Sequence, residues 1–155
     1  PRSTRKESSA ASDVYKRQRC ISRRVGQIFI ENALFGKKIS INGMGEEKLD
    51  FTYILDLIQG ISKSIANEKA YNQIFNITYG EGREILKLIE IIKNNFSNIE
   101  VEFKERSKLV PVRGTLSNSK SKDLLGYKSE WPLEKGYQQY INWYKDFFEK
   151  KINVS

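Results

Sequence analysis

Histidine is absent from the 155 residues, cysteine occurs once (Cys20) and proline three times. A single cysteine cannot build an internal disulfide framework. Without histidine there is no Ser-His or Cys-His nucleophilic site, and a zinc site is disfavoured. Long apolar runs are lacking too. The richest, residues 85–92, is interrupted by Lys87 and Glu90, so no segment reads as a membrane span. The first residues lack the apolar h-region of a signal peptide. The expected setting is reducing and cytoplasmic, with no membrane partner.

A basic stripe is also missing. The formal net charge is +8, but residues 1–18 hold five basic and two acidic side chains, leaving +5 for the rest. Those remaining charges alternate in sign along the candidate helices, the pattern of a solvated face, so no nucleic-acid partner is expected. What is present suits one globular unit with a core: 39% hydrophobic and 30% charged residues.

Residues 1–18, PRSTRKESSAASDVYKRQ, are polar and aperiodic. They read either as a disordered tail or as foreign sequence. Residues 8–18, SSAASDVYKRQ, resemble the translation of a transposon-tagmentation sequencing adapter, and residues 1–4 a flow-cell primer end. Residues 1–18 are therefore set apart as an expected artefact or tail. The globular unit is expected over 19–150, and a frayed tail over 151–155.

Val25, Ile28, Phe29, Ala33 and Leu34 recur at helical spacing before Gly36, predicting a helix over residues 24–35. Arg23 and Arg24 begin it, where the helix dipole disfavours cations; an anion nearby or an exposed first turn would each explain them. Residues 38–42 alternate as a short strand, and Gly43 and Gly45 open the loop beyond. That G-x-G lacks a third glycine and an immediate helix, so it reads as a turn and not as a dinucleotide fingerprint. Residues 50–54 read as extended, with Asp56 as the expected cap of a helix burying Leu57, Ile58, Ile61 and Ile65. Residues 74–78 read as a strand covered on both faces. A third helix buries Ile85, Leu88, Ile89 and Ile92, and Val101 and Phe103 mark a half-exposed strand. Residues 106–118 are irregular, with Arg106, Lys108 and Arg113 either lining an anion site or on a surface loop. A short helix over 119–125 stops at Gly126. A last helix over 133–150 carries a stripe of Tyr137, Tyr140, Ile141, Tyr144 and Phe148, read as core packing and not as a base-stacking platform.

Three blocks in this order carry a resemblance: GQIFIENALFGKKISINGMGEEKLDFTYILDLIQGI, IFNITYGEGREILKLIEII and SNSKSKDLLGYKSEWPLEKGYQQYINWY. Together they resemble the C-terminal, substrate-binding part of an NAD-dependent epimerase/dehydratase, an extended short-chain dehydrogenase/reductase. The resemblance implies an α/β, Rossmann-type protein, with a small mixed sheet and flanking helices here and an NAD-binding core lying outside this chain. It implies NAD as the cofactor of that missing part, a nucleotide sugar as substrate, and a homodimeric parent. The Gly-rich NAD loop and the Tyr-x-x-x-Lys pair of the family do not occur in this sequence. The chain alone is therefore expected to be inactive, a fragment supplying the nucleoside-diphosphate pocket. By the likeness, Ser40, Ile41 and Asn42 lie against the nucleobase, partly through backbone groups. Arg106 is the best match for a diphosphate-binding arginine, with Lys108 and Arg113 as alternatives. The family commonly holds another arginine where this chain has Leu49. A non-catalytic NAD(P)-linked regulator or binding module on the same fold is the rival expectation.

Overall fold

The computed structural model describes residues 24–106 and 114–152, with side chains through Phe148. Residues 1–18, Cys20, Arg23, Lys108, Arg113 and residues 153–155 lie outside the described residues, as do the expectations placed on them.

The periodicity of the first helix is realised as α1, Val25–Leu34, which buries Phe29, Ile30 and Ala33. Beyond it, Gly36 takes φ +63°, a left-handed position open to glycine without a Cβ penalty. The strand β1, Ile39–Asn42, alternates as expected: Ile39 and Ile41 are buried, Ser40 and Asn42 exposed. β1 pairs in parallel with β4, Val101–Lys104. A second ribbon is antiparallel, joining β2, Lys48–Asp50, to β3, Gly82–Glu84. The mixed strand directions are thus divided between two small ribbons.

Helix α3, Ile85–Asn95, buries all four expected residues and Ile91 as well. The last helix, α5, runs Leu133–Ile152. Its stripe packs inward, with Tyr137, Ile141 and Tyr144 buried against α1, β1 and α3 in one apolar cluster. Each fully buried aliphatic side chain there is worth about 1.5–3 kcal/mol.

The other layer departs from the pattern. Helix α2, Ile54–Ile65, begins after Tyr53 and has no side-chain cap. Asp56 lies within its first turn, buried, and accepts the backbone N–H of Glu130 at 3.0 Å and of Trp131 at 3.1 Å. It therefore does not cap α2; it ties the approach to α5 onto α2. Leu57, Ile58, Ile61 and Ile65, expected inside, are 37%, 49%, 48% and 77% exposed. An apolar helix face is buried only when another layer lies opposite it. The described residues place the buried side of α2 at Asp56 and Gly60 instead. A Cβ on Gly60 would stand 2.4 Å from Ile77 Cγ2, so only glycine admits that segment.

Residues 74–78 are not a covered strand either: they join neither ribbon, and Ile74 is 86% exposed. Side chains satisfy their carbonyls where a ladder would otherwise do so. Asn118 Nδ2 donates to Thr78 O (3.0 Å) and Tyr79 O (3.2 Å), and Ser121 Oγ to Asn76 O (2.8 Å). The Tyr127 hydroxyl also donates to Thr78 O, at 3.0 Å. Ser121 belongs to α4, Ser119–Leu125, which ends at Gly126 with φ +62° as expected. Among the described residues no helix is long and apolar enough to cross a membrane.

Candidate functional site

A groove of about 1100 Å³ opens between β1, β2 and the start of α5. Ser40, Ile41, Asn42 and Arg106 all line it, so four of the five expected binding residues converge on one concavity. Arg113 lies outside the described residues.

The contribution of β1 follows from strand geometry. Ile39 and Gly43 donate their amides to Glu100 O (2.9 Å) and Lys104 O (2.7 Å), on the β4 side. Backbone groups alternate direction along a strand, so those of Ser40 and Asn42 face the opposite edge. Among the described residues no strand pairs with that edge. Ile41, 2% exposed, is committed to the core by its side chain and by alternation turns its backbone groups toward β4, so the open edge belongs to Ser40 and Asn42. The Ser40 hydroxyl reaches Glu102 Oε2 at 3.2 Å.

Arg106 follows β4 and turns back over the Gly43 loop. Gly43 has φ +77°, and its absent Cβ would sit 3.6 Å from Arg106 Cβ. The guanidinium Nη2 lies 3.7 Å from Glu47 Oε1. A smaller concavity of about 400 Å³ adjoins, and Asn42, Glu47 and Arg106 line both. Leu49 also faces the groove, half-buried, while Lys48 is exposed on the other face of β2. Opposite Leu49 in the ribbon stands Arg83, whose guanidinium is engaged by Glu134 and Glu81.

Sequence reasoning missed several groove residues. Arg24, at the start of α1, lines it; its unfavourable place at a helix N-terminus leaves a nearby anion and an exposed first turn as alternatives, and it is not among the expected binding residues. Tyr53 and Trp131 form an aromatic wall, stacked with centroids 4.6 Å apart, and Lys135 Nζ lies 3.7 Å from the Trp131 ring centre. Gly136 makes room for Tyr53: a Cβ there would come within 2.9 Å of that ring. No local pattern announces a pair 78 positions apart, read from the two residue numbers.

The chemistry of the groove favours binding. Tyr137 lines it with Tyr53 and Tyr140, but burial pushes the Tyr137 pKa upward, and its hydroxyl donates to Gly26 O at 2.8 Å. A phenol that takes a proton near neutral pH needs the opposite shift. The Gly43–Gly45 turn does not fit a dinucleotide. The Cβ space at Gly45 is filled by Leu86 at 2.8 Å, and the turn leads into β2 in place of a helix.

No protein-family model matches the chain. An uncharacterised protein of Methanocaldococcus jannaschii is 32% identical over 122 residues, covering 75% of this chain and 36% of that protein. UDP-glucuronic acid decarboxylase 1 of Xenopus tropicalis is 28% identical over 131 residues, 84% of this chain and 31% of the enzyme. Among solved structures, the Thermotoga maritima UDP-glucose 4-epimerase with UDP-glucose superposes with a TM-score of 0.71 at 28% identity. The match covers 81% of this chain and 40% of that one. The chain is related to the NAD-dependent epimerases and dehydratases. It has part of their extended short-chain dehydrogenase/reductase fold. The Bacillus cereus UDP-glucuronic acid 4-epimerase, in complex with UDP-glucuronic acid and NAD, gives a TM-score of 0.73 at 25% identity, with 80% and 40% of the two chains covered. The chain thus spans about a third of the length of these curated relatives.

Proposed function

We propose that this chain is the substrate-binding part of an NAD-dependent nucleotide-sugar epimerase or dehydratase, and that its groove holds the nucleoside diphosphate. The observation that carries the reading is the convergence of an open strand edge and an arginine on one concavity. The backbone N–H and C=O groups of Ser40 and Asn42 suit the hydrogen-bonding edge of a base. Arg106 supplies a planar cation for phosphate oxygens. The UDP-sugars held by the T. maritima and B. cereus neighbours support a uridine nucleotide as the first ligand to try.

On this reading the dinucleotide binds residues outside this chain, and hydride transfer occurs there. The groove contributes binding energy from the non-reacting end of the substrate, which orients the sugar. The parent enzyme is taken to work in the cytoplasm as a homodimer. The chain alone should turn over neither UDP-glucose nor UDP-glucuronic acid; measurable product from purified chain would refute that.

Binding is tested by titrating UDP into the 155-residue chain by calorimetry. Arg106→Ala should weaken UDP by about tenfold or more, the worth of a charge-assisted contact, and leave uridine unchanged. Equal UDP affinity in the variant would remove Arg106 from the diphosphate site.

A further inference from the structure

We propose that Glu47 competes with the anionic ligand for Arg106 and thereby sets how tightly the groove holds a nucleoside diphosphate. This rests on the reading of the groove given above. Glu47 and Arg106 stand together where the two concavities meet, and both line each of them. Both are carried on backbone anchored nearby. The Glu47 carbonyl accepts the Ile85 amide at 3.2 Å, and Gly43, beneath Arg106, donates to Lys104 O at 2.7 Å. The carboxylate is the more enclosed of the two, 18% exposed against 36% for the guanidinium. Glu47 is thus held in place beside Arg106, the more exposed of the pair.

Their separation matters. At 3.7 Å the two groups attract, yet they are farther apart than a well-made charged hydrogen bond. Such a contact holds the guanidinium beside Glu47 at the groove. An arriving diphosphate must share Arg106 with this carboxylate and also meets its negative charge. The described charges balance: the groove is lined by two cations, Arg24 and Arg106, and two anions, Glu47 and Asp50, and the smaller concavity adds Lys48 and Glu46, one of each sign. Where Leu49 stands there is no further cation. Glu47 therefore tunes affinity downward and makes it depend on the ligand's charge.

The test is calorimetric titration of UDP and of uridine into the wild-type chain, Glu47→Gln, Arg106→Ala and the double variant, with thermal melts confirming folding. Glu47→Gln keeps the shape and removes the charge. It should tighten UDP about two- to fivefold, the range of a half-exposed ion pair, leave uridine unchanged, and lose most of that gain when Arg106 is Ala. Unchanged or weaker UDP binding by Glu47→Gln, with the wild type still binding, would make Glu47 a positioning residue and overturn the proposal alone. UDP binding by neither protein would overturn the groove reading and this inference with it.

Discussion

Two halves of the molecule are held by different forces. The layer of α1, β1, α3 and α5 buries a continuous apolar cluster, with Ile30, Ile39, Leu88, Ile92 and Ile141 fully inside. The layer of α2, residues 74–80 and α4 buries Asp56, Gly60, Asn118 and Ser121 at its contacts, beside Leu125 and Tyr127, and turns the isoleucines of α2 outward. In the first, stability comes from apolar area removed from water. In the second, a smaller apolar contribution from Leu125 and Tyr127 is joined by polar side chains serving backbone groups that have no ladder. The lesson is that a strong amphipathic pattern predicts a helix without saying which face is covered.

The contrast can be broken most forcefully from the apolar side. Ile141→Ala should cost about 2–5 kcal/mol, because a fully buried aliphatic group is replaced by a cavity; denaturant unfolding reads it, and a loss below 1 kcal/mol would deny that Ile141 is core. On the polar side, Asp56→Ala should cost about 1–3 kcal/mol, since two partly buried backbone amides lose the carboxylate that now binds them. Asp56→Asn should recover only part, as its NH₂ cannot accept.

The tyrosines sharpen the comparison, because both layers contain one or more held neutral. Tyr127, against Asp56 and Asp50, is pushed up to about 12, chiefly by burial. Tyr137 and Tyr144 are pushed upward in the core, again first by burial. A raised phenol pKa means that the folded state keeps a proton that the unfolded chain releases. This stabilisation is complete below about pH 10, the unfolded value, and is lost as pH climbs through the folded values. Stability should therefore be insensitive to these groups below pH 9. Above pH 10 it should fall by about 1.4 kcal/mol per pH unit for each tyrosine. Tyr127→Phe should remove one share of that slope between pH 10 and 12, and an unchanged slope would count against its burial.

The smallest effect is expected on the outer face of α2. Ile58→Ser, at a side chain 49% exposed, should change stability by about 0.5 kcal/mol or less while raising solubility. A loss of 2 kcal/mol would show that this face is covered in solution.

Much of the fold was legible locally. The helical spacing of α1, α3 and α5, the alternation of β1, and the glycines that end α1 and α4 each depend on neighbours within a turn or two. The failures share a cause. Asp56 read as a cap because aspartate near a helix start usually is one, yet its partners are the amides of Glu130 and Trp131, far along the chain. Residues 74–78 read as a covered strand from composition, but a strand needs a partner, and none pairs with them among the described residues. At the groove, Ser40, Ile41, Asn42 and Arg106 came from a resemblance spanning three blocks. Glu47, Tyr53 and Trp131 gave no signal of their own.

The sequence by itself determined which segments are helical, where glycine must end or bend them, and which related enzymes this chain resembles, because those properties reside in periodicity, backbone allowance and ordered motifs. Tertiary structure alone decided which face of α2 is buried, what Asp56 binds, and that Glu47 meets Arg106. Each of these depends on distances between residues remote in sequence, and a linear pattern holds no record of them.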